Sequence, residues 1–399
     1  MLEHCDIIVL SGDWNRKNPG SVQRVTEILA RHNRILWVSG IPIRPPRLRT
    51  GDFKRIADKV RKMLGTPTQT NNHTIPVTEV HPFFIPFYDN VAVRRFNDRL
   101  LRSAILGRIQ ELGFKDYIVL PSNPMAAGVI GTLGESSSHY LCIDDYGANE
   151  GTFACLSELE QEILQKVDSS WSMSDVLMKS RIPKSGENHF FPEGVDLDHF
   201  KVRGGLPPAA LANVKKPIVG YYGLLASWVD YELIVRCAAA YPDVSFVIMG
   251  KATTDISILG QRPNIKCLDH VPYEDLPSYA ELFDVGLIPR RINRLTVAMN
   301  PLKLLEYLAM EMPVISTNLP EVKKFGDLVF VAEDDDRFVR FVGEALKDNT
   351  PERRRMRRAH AERFSWQSVA ERMSDVIQGI ERRKASSRGS RRAPTLVDA

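Results

Sequence analysis

Short apolar runs rich in Val, Ile and Leu recur along this chain with helical stretches between them, and the series starts twice. The first series predicts strands at Asp6 to Leu10, Arg34 to Ser39, Tyr117 to Leu120, His139 to Ile143 and Ser169 to Met173. Helical periodicity lies between them at Ser21 to Arg31, Val91 to Glu111, Met125 to Leu133 and Leu156 to Lys166. Runs apolar on every residue suit strands buried on both faces of a parallel sheet, so this half reads as a doubly wound α/β domain. Gly204-Gly205 and Pro207-Pro208 interrupt the pattern, which resumes at Ile218 to Tyr222, Ser245 to Met249, Ile265 to Cys267, Val285 to Ile288 and Val314 to Ser316. With 399 residues the chain can bury two ordinary cores, so two Rossmann-like domains are expected, over residues 1–200 and 201–365.

The first βαβ start lacks a GxGxxG turn, so a nicotinamide or flavin dinucleotide is not expected at that end. Cys5, Cys142, Cys155, Cys237 and Cys267 are odd in number and widely spaced, and read as reduced core thiols. The opening MLEHCDIIVLSGDW has neither a charged prelude nor a small-residue cleavage site, and no window reaches ~18 uninterrupted apolar residues, so a cytoplasmic, non-spanning protein is expected. The overall charge of +4 is unevenly spread. Residues 44–64 carry eight Lys/Arg against two Asp, and residues 382–399 six against one, which leaves the body of the chain acidic. A nucleic-acid binder needs a basic folded face, so nucleic acid is not an expected partner. Two short basic segments suit an anionic membrane surface instead, and Asp52 to Leu64 reads as an amphipathic helix with Lys54, Arg55, Lys59, Arg61 and Lys62 outside its apolar stripe. The Arg- and Ser-rich stretch 382–399 is expected to be disordered.

Chemistry concentrates in Asn300 to Ser316, NPLKLLEYLAMEMPVIS. Lys303 and Glu306 are three apart and leave one helical face, next to a helix start opened by Asn300 and Pro301. Alone, such a pair is an ordinary surface ion pair. Ahead of a buried strand it suits a nucleoside diphosphate: Lys303 and the positive helix end for the phosphates, Glu306 for ribose hydroxyls. Gly223, after the strand Ile218 to Tyr222, allows close backbone approach to phosphate, and Asn293, Thr296 and Asn300 with Arg290 or Arg291 offer further polar groups. Each of these is explained equally well by a polar loop.

This stretch resembles the donor-binding helix of GT-B glycosyltransferases of the family 1/4 type, in which an [R/K]xxE helix precedes AxGxPV. Other pieces follow in that family's order: Phe191 to Phe200 (FPEGVDLDHF), Pro217 to Leu225 (PIVGYYGLL), His270 to Tyr273 (HVPY) with Leu276 to Tyr279, and Phe364-Ser365-Trp366. The resemblance implies two Rossmann-like domains facing across a cleft, with a helix over 366–381 returning to the first. It further implies an NDP-sugar as co-substrate, UDP being the commonest, no metal or other cofactor, and a saccharide or lipid-linked acceptor of cell-surface polysaccharide synthesis. On that template Lys303 meets the diphosphate, Glu306 the ribose and the loop containing Val271 the base. Two positions depart from the retaining branch, which has a second glutamate where this chain has Ala298 and basic residues after the glycine turn where it has Leu224 to Asp230. Retention of configuration therefore does not follow.

Asp144 and Asp145 follow the strand Tyr140 to Ile143 and so stand at its C-terminal end. Either could deprotonate an acceptor hydroxyl, its pKa raised by the other, or cap the next helix. In the xanthan-type glucuronosyltransferases, which this region also resembles, the base aligns with Asp145. Trp14 and Asp13, in the first loop, are candidate acceptor contacts, with a buried tryptophan anchor as the alternative. The aromatic stretch His81 to Tyr88 reads as an acceptor rim, a lipid-facing patch or core packing, whereas Asp196-Leu197-Asp198 and Asp334-Asp335-Asp336 read as loops. Two other readings of the chain are a nucleotide-sugar 2-epimerase, which needs more cleft histidines, and a catalytically degenerate GT-B scaffold.

Overall fold

The structure, a computed structural model, describes residues 1–14, 19–45, 77–149 and 151–390. The helix expected at 52–64, most of the basic segment 44–64 and the last nine residues of the tail lie outside them. The chain divides into one unit of residues 1–173, 177–191 and 367 onward, and a second of 174–176 and 192–366.

Seven parallel strands form the first unit: β1 (Asp6–Leu10), β2 (Arg34–Val38), β3 (Val77–Val80), β4 (Ile118–Pro121), β5 (Ser137–Cys142), β6 (Ser169–Ser172) and β7 (Asn188–Phe190), ordered β3-β2-β1-β4-β5-β6-β7. Every residue of β1 and β4 is buried, as a sheet covered on both faces requires. The helix Val91–Leu112 starts at Asn90, whose side chain accepts from the N–H groups of Ala92 and Val93, and stops at Gly113 in left-handed geometry. No helix forms over Met125 to Leu133. Only a 3₁₀ turn at Pro124–Ala126 appears there, because Gly128 and Gly131, the latter at φ +80°, break the run. β3 and β7 were not expected, since four and three residues with polar members give too little periodicity.

The last helix, Trp366–Ser390, outruns the expected end at 381. Residues that composition assigned to a disordered tail are tied down: Lys384 pairs with Asp168 at 2.8 Å and donates to the Ser136 carbonyl, and Arg383 pairs with Glu187 at 2.6 Å. From Gln367 this helix belongs to the first unit, where Gln378 donates to the carbonyl of Met1.

In the second unit, β8 (Ile218–Tyr222), β9 (Ser245–Met249), β10 (Ile265–Leu268), β11 (Val285–Ile288), β12 (Val314–Thr317) and β13 (Phe330–Ala332) make a parallel sheet ordered β10-β9-β8-β11-β12-β13. The strand order reverses between β8 and β11, where Gly220 lies opposite Gly286. A Cβ on Gly220 would enter the Phe283 ring, and one on Gly286 would lie 2.7 Å from the Tyr307 ring. The second of these glycines lets the helix Leu302–Ala309 sit close on the sheet, with Leu304, Leu305, Tyr307 and Leu308 buried. That helix starts one residue later than expected, since Pro301 occupies the cap position and offers no side-chain cap.

Candidate functional site

Ligands of open parallel sheets sit outside the C-terminal strand ends at the point of order reversal. In the second unit the residues at that point are Gly223 after β8, Arg290 after β11 and the helix Leu302–Ala309. Gly223 has φ +132°, and a Cβ there would lie 2.6 Å from Lys303 Nζ. Only glycine leaves room for the lysine to lie across the turn. Gly250, after β9, makes room in turn for the Gly223 carbonyl, and Gly223 N–H donates to Met249 at 2.9 Å. Sequence reading missed Gly250, although its place after the strand SFVIM mirrors that of Gly223.

Lys303 is half-buried, 5.7 Å from the centroid of the Tyr221 ring. Removal from water, reinforced by the positive charge of Arg290, pushes its pKa down to about 8 against the opposing pull of Glu306 and Glu193. Glu306 is 5% exposed, and Tyr222 donates its hydroxyl to Oε2 at 2.9 Å. Tyr222 was read only as a strand residue, yet its hydroxyl holds the Glu306 carboxylate. The loop Leu224–Asp230 is laced to the end of β11, with Asp230 N–H donating to Pro289 and Arg291 N–H to Trp228. This holds Arg290 against the Trp228 ring, 5.7 Å from its centroid. Arg290 Nη1 and Trp228 Nε1 are buried donors with no acceptor among the described residues. A lysine, a guanidinium and these donors together suit an anion.

The remaining donor candidates divide. Thr296 is fully buried and consumed by a capping box: its hydroxyl donates to Arg291 at 2.6 Å and accepts from Asn293 N–H, while Asn293 Oδ1 accepts from Thr296 N–H. Both side chains are thus engaged within the loop. Asn300 is half-buried two residues before the helix. Val271 packs on the core cluster that contains Leu304, Leu305 and Tyr307, in a loop braced by Tyr273 stacking on His199 with centroids 4.2 Å apart. The Asp196 carboxylate accepts from His199 N–H, and Asp334 caps the helix Asp335–Ala345, so neither acidic cluster needs a further role.

In the first unit the two aspartates separate. Asp145 is 4% exposed and paired to Arg181 at 2.8 Å, and Arg181 also grips the buried Glu160 at 3.0 Å, which accepts from Tyr140. Its side chain caps no helix. Asp144 is half-buried, with Asn149 donating to Oδ2 at 3.0 Å. Burial raises its pKa, and the neighbouring Asp145 adds to the rise while the Asn149 bond opposes it. Asp145 is thus held in an ion-pair network, whereas Asp144 is less buried and its pKa is raised.

Trp14 is 1% exposed and meets Trp37 edge-on at 4.8 Å, so it anchors the core, whereas Asp13 beside it is exposed. Close by, Glu79 of β3 accepts from the Ser39 hydroxyl and pairs with His81 at 3.4 Å. Burial opposes ionisation of Glu79, but these partners outweigh it and hold its pKa below the ordinary value. A buried acid on a four-residue strand left no sequence signal.

Residues 216–348 match the family described as Glycosyl transferases group 1. Over 178 residues the chain is 30% identical to a putative teichuronic acid biosynthesis glycosyltransferase, TuaH, of Bacillus subtilis (strain 168). That match covers 42% of this chain and 45% of the relative, so the chain spans under half of that relative's length. Among solved structures, sucrose-phosphate synthase from Thermosynechococcus elongatus superposes with a TM-score of 0.69 at 14% identity, covering 94% of this chain and 99% of the other. HepE of Anabaena in complex with UDP and glucose gives 0.64 at 14% identity, covering 94% and 100%. At such identities the likeness is one of fold: two Rossmann-like α/β units, the GT-B fold.

Proposed function

We propose that this chain, whose residues 216–348 match the family described as Glycosyl transferases group 1 within a GT-B fold, moves a sugar from a UDP-sugar to a saccharide or lipid-linked acceptor in cell-surface polysaccharide synthesis. The observation that carries the reading is the seating of Lys303 on Gly223, with Arg290 and the Tyr222-held Glu306, at the order reversal of the second sheet. The UDP held by the Anabaena structure and the teichuronic acid role in the Bacillus relative's name support the donor and acceptor classes.

In this reading Lys303 and Arg290 neutralise the charge that develops on the diphosphate as the glycosidic C–O bond breaks, each pre-placed and partly desolvated so that little reorganisation is needed. Arg290 supplies the positive charge that the retaining branch takes from the loop after β8. Glu306 accepts from the ribose hydroxyls, and Tyr222 sets its orientation. Asp144 takes the proton of the acceptor hydroxyl as that oxygen attacks the anomeric carbon.

The test is UDP formation from a panel of UDP-sugars, with and without lipid-linked saccharides extracted from bacterial membranes. Acceptor-dependent UDP release, lost in Lys303→Ala and in Asp144→Asn, is expected. Conversion of the donor to its C2 epimer without acceptor would overturn the transferase reading, and nucleotide binding with no turnover on any pairing would favour a scaffold.

A further inference from the structure

The segment His81 to Tyr88 resolves into alternating inward and outward rings. Phe84 and Tyr88 are buried, with Tyr88 against Phe153 at 5.4 Å, and the fully buried Asn97 clamps the backbone between them. Its side chain accepts from Ile85 N–H at 2.9 Å and donates to Ile85 C=O at 2.8 Å. The loop is thereby fixed, and Phe83 and Phe87 stay 51% and 66% exposed as a property of the fold rather than of fluctuation. The adjoining helix Val91–Leu112 continues the surface: Val91 and Phe96 are exposed, and so are Arg95, Arg99 and Arg102. Their spacing of three or four residues puts the three arginines on one helix face.

Charge on the exposed side of that helix is mainly positive, and the one acid of the adjoining loop, the exposed Asp89, accepts from Cys155 N–H. The helix has two acids, Asp98 and Glu111. Asp98 is turned inward, where its carboxylate fills the space beside Gly128, and Glu111 pairs with Arg108 in the last turn. Arg95 and Arg99 form no ion pair among the described residues. Single exposed apolar residues are ordinary, but four large ones grouped with unpaired arginines are not.

We infer that this face, Phe83, Phe87, Val91 and Phe96 with Arg95 and Arg99, docks the protein on an anionic lipid bilayer. The rings enter the boundary between headgroups and acyl chains while the guanidinium groups pair with lipid phosphates. Charge complementarity selects this occupant, because another apolar protein surface would leave the arginines buried without partners. The inference stands apart from the donor site, and it places membrane contact elsewhere than the basic segments 44–64 and 382–399.

Co-sedimentation of the full chain with phosphatidylcholine vesicles, with and without phosphatidylglycerol, tests it. Binding should require the anionic lipid, weaken with salt, and fall by about tenfold or more in Phe83→Ser/Phe87→Ser and in Arg95→Glu/Arg99→Glu. The melting temperature of each variant shows that it is folded, and a UDP-induced shift equal to wild type separates this result from failure of the donor reading. Variants that sediment like the wild type would assign any lipid binding to the other basic segments and overturn the inference. Absence of wild-type binding at low salt would do the same, as would a concentration-dependent dimer abolished by Phe87→Ser.

Discussion

Gly223 and Lys303 occupy complementary space: the lysine's amine lies 2.6 Å from where any other residue at 223 would place its Cβ. Gly223→Ala should therefore displace Lys303 as well as strain a backbone at φ +132°, at a stability cost of about 1–3 kcal/mol. Calorimetric titration should find UDP affinity lowered at least tenfold. Affinity equal to wild type would detach Lys303 from the phosphate site.

Tyr222→Phe removes only the hydroxyl that holds Glu306. Loss of a bond to a buried carboxylate should cost about 1.5–3 kcal/mol in denaturant unfolding. The donor KM should rise with little change in kcat, because ribose contacts serve the ground and transition states alike. A fall in kcat at constant KM would place Glu306 at the reacting centre instead.

Proton linkage fixes a direction for pH. Lys303 must be charged to hold a diphosphate, and its pKa in the free protein is about 8. UDP affinity should thus be full below that pH and decline as pH rises through it, with the midpoint moving upward as nucleotide saturates, since bound phosphate favours the charged amine. Titrations at several pH values check this, and an affinity flat from neutrality to pH 9 would contradict it.

Asp144 and Asp145 should separate experimentally. Asp144→Asn is expected to abolish transfer with little change in melting temperature. Asp145→Asn should chiefly destabilise, by about 3 kcal/mol or less, because Arg181 keeps its bond to Glu160. The wild-type rate should fall on the acid side at a pH above the ordinary aspartate value, since Asp144 must be ionised and its pKa is raised. Equal loss of activity in both variants would mean that they act as one unit.

Strands such as DIIVL and IVGYY were legible because burial on both faces leaves long apolar runs, and Asp6–Leu10 and Ile218–Tyr222 hold to the residue. The KxxE helix was legible because its spacing is local. What stayed hidden is contact between elements distant in sequence: Tyr222 on Glu306, Gly250 behind Gly223, and Arg181 on Asp145. The capping box at Thr296 was hidden for a related reason, since a hydroxyl that closes such a box looks the same in sequence as one aimed at a ligand.

The proposed function requires that the second unit bind a nucleoside diphosphate through Lys303. Thermal unfolding of the wild type and of Lys303→Ala with UDP, GDP and ADP tests it most directly, because a ligand that binds only the folded state stabilises it by roughly 2.7 kcal/mol at a hundred times its Kd. A raised melting temperature with UDP that disappears in Lys303→Ala is expected. No shift with any of the three, or an equal shift in the variant, would contradict it.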